Sequence, residues 1–520
     1  MRREGAGARV LPAVLALVAV ALFLGASARL HGLGFPLDDA WIHQTYARHL
    51  AERGEWAFLP GEPSAGSTSP LWTAALAVGR AAQIPPMLWT YGLGTFLLVL
   101  TAWIGAGWAA RRLPDRAGAG LLAGGLLAVE WHLVWAGLSG METLAAACLA
   151  LGVLSLLDEG RRPSWLIGLL VGLGVWLRPD ALTLALPLGW VLLVRPGRST
   201  RQRVREACSA AAALALVVLP YLAFNRALSD EWWPSTFYAK QAEYAALRAL
   251  PLAGRLAAQF GVGLVGAGAL LAPGWLVVGW ESLRRSRVED LAPLLWAAGF
   301  LGLYALRLPV TYQHGRYAIP ALPALLVVGA IGVLRRAQPR APGALPRVVS
   351  RAWLAAAPLT AAAFLALGAG AYARDVAIIE TEMVAAARWI AVHTEDGALI
   401  AAHDIGALGY FGGRRIVDLA GLVSPEVVPF LRDEQALAAY LDARGADYLM
   451  TFPGWYPELT AQARPVYQTG GRHSPAAGGE NMAVYLWPAS RFAPSRTAML
   501  YSAQLACGRA DHGQHRHHYR

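Results

Sequence analysis

Charge is what this sequence has least of. Asp, Glu, Lys and Arg supply 15% of its 520 residues, against 56% hydrophobic residues. Soluble globular domains carry about 25% charged residues, so a soluble domain with an ordinary polar surface is excluded. Lysine is nearly missing: Lys240 is the single one among 45 Lys and Arg residues. Cysteine is scarce, with Cys148 and Cys208 in or beside apolar runs and Cys507 in the tail, and no disulfide framework follows from three. No Walker motif, HExxH or CxxC occurs, so ATP use has no support in the sequence.

What is present in abundance is apolar sequence. Runs of span length recur from Leu11 to Tyr372, and about 20 apolar residues cross the hydrocarbon layer as a helix. The net charge of +11 raises the question of nucleic acid, but its distribution answers it. Arginines gather in short loops between apolar runs, as in Arg111, Arg112 and Arg116, in Arg195 to Arg205, and in Arg284, Arg285 and Arg287. That is the positive-inside pattern of cytoplasmic loops, so the basic residues orient the chain and no nucleic-acid partner is expected. The first run, Val10 to Ala28, ends in Ala26-Ser27-Ala28, as a signal peptide does. Its length suits a retained first span instead.

Span parity predicts about eleven spans with the N-terminus inside. The fold class expected is an α-helical polytopic membrane protein with a small C-terminal α/β extracytoplasmic domain. Residues 1–372 form the transmembrane part, with an outer loop at 31–85, and residues 373–490 form the outer domain. Residues 491–520 are a polar tail, in which His512, His515, His517 and His518 read as a solvated basic segment before they read as metal ligands. Within the outer loop, Leu71 to Val78 is too short to span and is predicted to lie at the interface.

Polar residues gather at the outer ends of the spans. Asp38 and Asp39 open a predicted helix to about Arg53, in which Asp39, His43 and Tyr46 share a face at i, i+4 and i+7. Paired acids where a span meets a polar groove suit general base work. As plain structure, Asp38 is an N-cap and Asp39 a first-turn carboxylate. The loop NRALSDEWWPSTFYAK carries Trp232, Trp233, Tyr238 and Lys240. A lone lysine in an arginine-rich chain suits a phosphate contact by a compact ammonium, while the tryptophans fit an interfacial belt or a sugar face. His314 and Arg316 begin a later span at its outer end. Intramembrane or membrane-edge charges at Glu130, Glu142 and the Arg178–Asp180 pair are costly and default to functional or paired roles.

Taken in order, LDDAWIHQTYARHL, GSTSPLW, SGMET, WLRPD, PSTFYAK and HGRYAIPALP resemble the GT-C superfamily of integral-membrane glycosyltransferases. The likeness is to bacterial protein-mannosyltransferase, aminoarabinose-transferase and terminal arabinofuranosyltransferase types. IAAHDIGALGYFGGRRIVDLAGLVSPE resembles a stretch near their outer domain. The resemblance implies a polyprenyl-phosphate-linked hexose or pentose as donor, an acceptor hydroxyl on a glycan, lipid or protein, and inversion at the anomeric carbon. It also implies a place in the cytoplasmic membrane with the outer domain in the periplasm. By order Asp38 matches the family aspartate and Asp39 its acidic neighbour, whereas the helix face favours Asp39 as base. Lys240, Arg316 and His314 are the implied donor-phosphate ligands. His43, Tyr46, Glu142, Arg178, Trp232, Trp233 and Tyr238 are the substrate-binding set. No cofactor is certain, and a divalent metal is open because some family members bind one. The rival classes are a polytopic lipid transporter or flippase and a non-catalytic sugar-binding envelope-assembly protein.

Overall fold

In hydrocarbon a chain must satisfy its own backbone, which apolar runs do by becoming helices. The computed structural model describes residues 7–488 and follows that rule; the histidine-rich tail lies outside the described residues. Among the described residues six helices are long and apolar enough to cross a membrane: Val10–Leu30, Pro86–Arg112, Thr200–Ser229, Val288–Arg307, Tyr312–Arg336 and Ala344–His393. Two further pairs are bent, Ala119–Ala128 with Trp131–Leu138 by 50° and Leu252–Val262 with Ala267–Arg284 by 104°, which makes up to eight spans if each pair is one. The chain is a multi-pass α-helical membrane protein.

The expectation of about eleven spans counted every apolar run of roughly membrane length. Several of those runs are interrupted in the fold. Between Ala128 and Trp131 the carboxylate of Glu130 accepts the backbone N–H of His132 at 2.6 Å, capping a new helix in mid-run. The run at 181–194 opens with a 3₁₀ turn, Pro179–Leu184, before its helix begins.

The first third of the chain supplies part of the site. Helix α1 (Gly7–Leu30) leads to α2 (Asp39–Arg53), a short hairpin of β1 (Ala57–Leu59) and β2 (Glu62–Pro63), α3 (Pro70–Ala81) and the long α4 (Pro86–Arg112). Helix α3 lies against α2 through Trp72, Thr73, Leu76 and Ala77 and exposes Leu71 and Val78 on its other side. A twelve-residue helix with an exposed apolar edge stands where the short apolar piece was predicted.

The helix Ala344–Ile379 continues through a π-helical turn, Glu380–Val384, into Ala385–His393, so one unbroken path joins the bundle to the C-terminal unit. That unit is a five-stranded sheet of β3 (Leu399–Ala402), β4 (Arg415–Asp418), β5 (Tyr448–Thr451), β6 (Arg464–Gln468) and β7 (Ala483–Leu486), in the order β4-β3-β5-β7-β6. Strand β3 is parallel to β4 and β5, while β7 is antiparallel to β5 and β6. The sequence signals gave no strand at 464–468, where Pro465 sits. As an edge strand β6 tolerates a proline that a central strand would reject. Leu437, Leu441, Leu449 and Trp487 fill one face of the sheet.

Candidate active site

Two neighbouring aspartates leave the start of α2 in different directions. Asp38 ends the loop before the helix, yet its side chain caps nothing in α2. Its carboxylate instead accepts the backbone N–H groups of Gly406 at 2.7 Å and Ala407 at 2.8 Å, at the start of the helical turn that follows β3. Glycine is required at 406, since a Cβ there would lie 2.0 Å from the Asp38 carbonyl oxygen. Burial, with the charge of Asp404 next, pushes the Asp38 carboxyl up to about 8 against the opposing pull of the two amides.

Asp39 faces a cavity of about 590 Å³. Arg316 donates to its Oδ2 at 2.7 Å. Burial works against the charge of Asp39, but Lys240 and Arg316 outweigh it and hold the carboxyl well below the ordinary carboxylate range. Lys240 comes from the helix Ser235–Glu243 and lies 3.6 Å from Glu243 Oε2. The other oxygen of Glu243 is 3.5 Å from His403 Nε2, and His403 Nδ1 is 2.7 Å from the Tyr456 hydroxyl. The C-terminal unit thus reaches the lysine through a chain of three side chains. Asp404 beside it is pushed up to about 6 by burial first, despite the nearby His403.

Polar and apolar side chains share the cavity wall. Among the polar ones His43 Nε2 lies 3.5 Å from Glu142 Oε2, while its Nδ1 meets Thr73 and Ser67 at 3.1 and 3.2 Å. Arg178 donates to Glu142, Asp180 and the Tyr304 hydroxyl. The pairing of Arg178 with Asp180 expected from the sequence is therefore part of a larger network. The apolar part of the wall is Leu182, Leu186, Leu303, Leu308, Trp233 and Phe237. Arg316 is 6% exposed, and two of its nitrogens, Nε and Nη1, have no hydrogen-bond partner among the described residues. A buried guanidinium with two idle donors on a cavity wall is a standing site for an anion, because leaving such donors unmet is costly.

Of the residues expected from the sequence, Asp39, His43, Glu142, Arg178, Trp233, Lys240 and Arg316 line this cavity. The others lie elsewhere. Asp38 is committed to Gly406 and Ala407. Tyr46 bonds Ser64 at 2.6 Å and accepts from Gly66 at 3.0 Å, shaping the loop and not the cavity. Trp232 is 56% exposed with Arg226 over its ring. Tyr238 lines a second depression of about 450 Å³ with Arg248 and Arg307. His314 pairs with Asp375 at 2.7 Å and does not line the cavity, which takes it away from the expected phosphate contact.

Sequence reasoning missed Glu243, Tyr304, Tyr317, His403 and Asp404. Glu243 had a signal, standing three residues after Lys240 on one helix. No metal-holding group of three or more His, Cys, Asp or Glu side chains occurs among the described residues.

Solved structures with the same course of chain are membrane transferases. ArnT from Cupriavidus metallidurans, bound to undecaprenyl phosphate, superposes with a TM-score of 0.60 at 14% identity over 92% of this chain and 99% of that one. The chain has the GT-C fold. The oligosaccharyltransferase of Archaeoglobus fulgidus has the same GT-C plan, at a TM-score of 0.58 and 12% identity over 86% of this chain and 70% of its own. The mycobacterial arabinofuranosyltransferase AftD gives 0.51 at 18% identity, covering 92% of this chain and 41% of its own. Residues 364–485 of this GT-C chain match a family described as a domain of unknown function (DUF8728). No curated protein matches it in sequence.

Proposed function

We propose that this protein transfers a sugar from a polyprenyl-phosphate carrier to an acceptor hydroxyl at the outer face of the cytoplasmic membrane, with inversion, in cell-envelope glycan, glycolipid or glycoprotein assembly. The observation that carries the reading is the idle guanidinium of Arg316 beside Asp39, on the wall of a cavity that Lys240 and several apolar side chains also line. A phosphate carrying a sugar and an isoprenoid chain needs both a cationic contact and apolar surface. ArnT, which shares the fold, is known bound to undecaprenyl phosphate.

The residues divide the chemistry between them. Arg316 and Lys240 take the donor phosphate and stabilise the charge that grows on it as the bond breaks. Asp39 then shares with the phosphate the two cations that hold its carboxyl low, and gains a negative neighbour. Both changes raise its proton affinity, so a weak base in the empty site becomes a competent one when the donor is bound. Asp39 takes the proton of the acceptor hydroxyl. The acceptor oxygen bonds to the anomeric carbon, and the carbon–oxygen bond to phosphate breaks with its electron pair leaving on the lipid phosphate. Asp38, held by two backbone amides, ties α2 to the C-terminal unit. Mass spectrometry of products formed by purified protein with a panel of polyprenyl-phosphate sugars tests the reading. A new glycoside with release of lipid phosphate is expected, and lipid translocation without any glycoside would favour a flippase.

Residues 373–490 are proposed to face the periplasm. Supporting this, Asp38 ties that unit to the outer loop, while the arginine clusters lie at the other ends of the spans. A cysteine replacing Gly470, where a side chain meets nothing within 4 Å, is expected to react with an impermeant maleimide in intact spheroplasts once the native cysteines are replaced. Labelling only after the membrane is lysed would reverse the topology.

A further inference from the structure

Arg316 reaches the cavity from a strained stretch of backbone. Gln313 has φ 53° and ψ 50°, His314 has φ 59° and ψ 28°, and Gly315 has φ 68°. Three successive residues therefore lie in the left-handed region, which glycine enters freely and other L-residues enter against a steric penalty. Two of the three carry side chains. The glycine is also needed for space, since a Cβ at 315 would lie 2.7 Å from Val262 Cγ2. The next residue is the arginine that holds Asp39.

Strain of this kind persists only where the surroundings over-determine it, and here the restraint is visible. His314 Nε2 lies 2.7 Å from Asp375 Oδ2 on the long helix Ala344–Ile379. Trp135 Nε1 donates to the same carboxylate oxygen at 2.9 Å. The imidazole stands edge-on to Trp131 and Trp135, with ring centres 5.2 Å from each. Trp131 is backed in turn by His132, whose Nδ1 lies 2.8 Å from Glu130 Oε1. None of these side chains lines the cavity. They hold the turn through the His314 side chain.

We infer that His314 and Asp375 form a latch that holds the left-handed turn 313–315, and so aims Arg316 at the donor phosphate, as positioning residues for lipid-phosphate recognition. The inference rests on the phosphate reading of the cavity given above. Without the latch the turn relaxes toward ordinary right-handed backbone, and the guanidinium loses its fixed place beside Asp39. Asp375 does not need its charge for this role, because an amide oxygen also accepts from His314 and Trp135.

The test compares binding of undecaprenyl phosphate and of undecaprenol, its uncharged alcohol, to the full-length protein in detergent. In His314→Ala and Asp375→Ala, the loss of one charge-directed contact is expected to weaken the phosphate lipid about tenfold and to leave the alcohol unchanged. Asp375→Asn should bind the phosphate lipid within about twofold of wild type, since its oxygen keeps both hydrogen bonds. His314→Asn suits left-handed backbone but is too short to reach Asp375, so it separates the latch from the strain and should still lose phosphate affinity, by less than alanine does. Unchanged phosphate binding in His314→Ala, or an equal loss for both lipids, would overturn the latch. A wild-type protein that does not prefer the phosphate over the alcohol would overturn the phosphate reading itself, and the latch with it.

Discussion

Two clusters of charge stand at opposite ends of α4, and they are finished differently. At the helix's C-terminal end Arg112 donates to Asp158 at 2.7 and 2.9 Å and to Asp290 at 2.6 Å, so one guanidinium serves two carboxylates on other helices. Near its N-terminal end, where Thr90 bonds Gln44 of α2, Arg316 spends one nitrogen on Asp39 and keeps Nε and Nη1 idle. A charge cluster that only ties helices together closes on itself, because unmet buried charge is expensive. One that awaits a ligand tolerates unmet donors. The same contrast appears within two residues of sequence, where Asp38 is bonded by backbone and Asp39 by the guanidinium of Arg316.

The largest effect that would break this contrast is at the aspartates. Asp39→Asn is expected to lower sugar transfer by about 10²–10⁴-fold, the usual scale for loss of a general base, with folding intact. Asp38→Asn puts an amide against one of two buried backbone N–H groups, and is expected to cost about 1–3 kcal/mol of stability with a much smaller loss of rate in the protein that folds. Transfer assays beside thermal melting separate them, and the opposite pattern would exchange their roles.

Arg112→Ala probes the closed cluster. Stranding Asp158, and leaving Asp290 only Arg287 at 3.5 Å, is expected to cost about 3–5 kcal/mol, seen as a lower melting temperature in detergent, while the donor KM of the folded fraction stays near wild type. A donor KM that moves without the melting temperature would erase the distinction between the two ends.

A smaller effect concerns pH. Burial first, and then the charge of Asp404, moves Asp38 from 3.8 to about 8; burial moves Asp404 from 3.8 to about 6. A carboxyl with a raised folded value binds a proton in the native state that the unfolded state has released. Stability is therefore full below about pH 4 and declines as pH rises toward 8. Asp404→Asn removes one of the coupled acids and should flatten that decline, measured as melting temperature at pH 5 and pH 8. A steeper decline in the variant would contradict the pairing.

Much of the architecture was legible because hydrophobicity and arginine placement are local properties. The apolar runs became helices, the short one at 70–81 among them. Lys240 was legible by being alone. Asp39 and His43 share the cavity because i and i+4 lie on one face of α2, while Tyr46 on the same stripe is one turn further on and is taken up by Ser64 and Gly66. What stayed hidden depends on contacts between distant segments. Nothing near Asp38 in sequence announces the amides of Gly406 and Ala407, and nothing near Lys240 announces His403. His314 misled because residues two apart at a span's end were expected to serve one ligand. The left-handed backbone at 313–315 sends its ring to Asp375 and Arg316 to the cavity.

The central claim is that Lys240 and Arg316 hold a lipid phosphate beside Asp39. Binding of undecaprenyl phosphate to purified protein tests it most directly, with Lys240→Ala, Lys240→Arg and Arg316→Ala alongside wild type. The account predicts that each alanine weakens binding about tenfold or more, as loss of a charge-assisted contact does. It also predicts that Lys240→Arg recovers only part of the loss, because a planar fork does not replace a compact ammonium. Wild-type affinity in both alanine variants would contradict it.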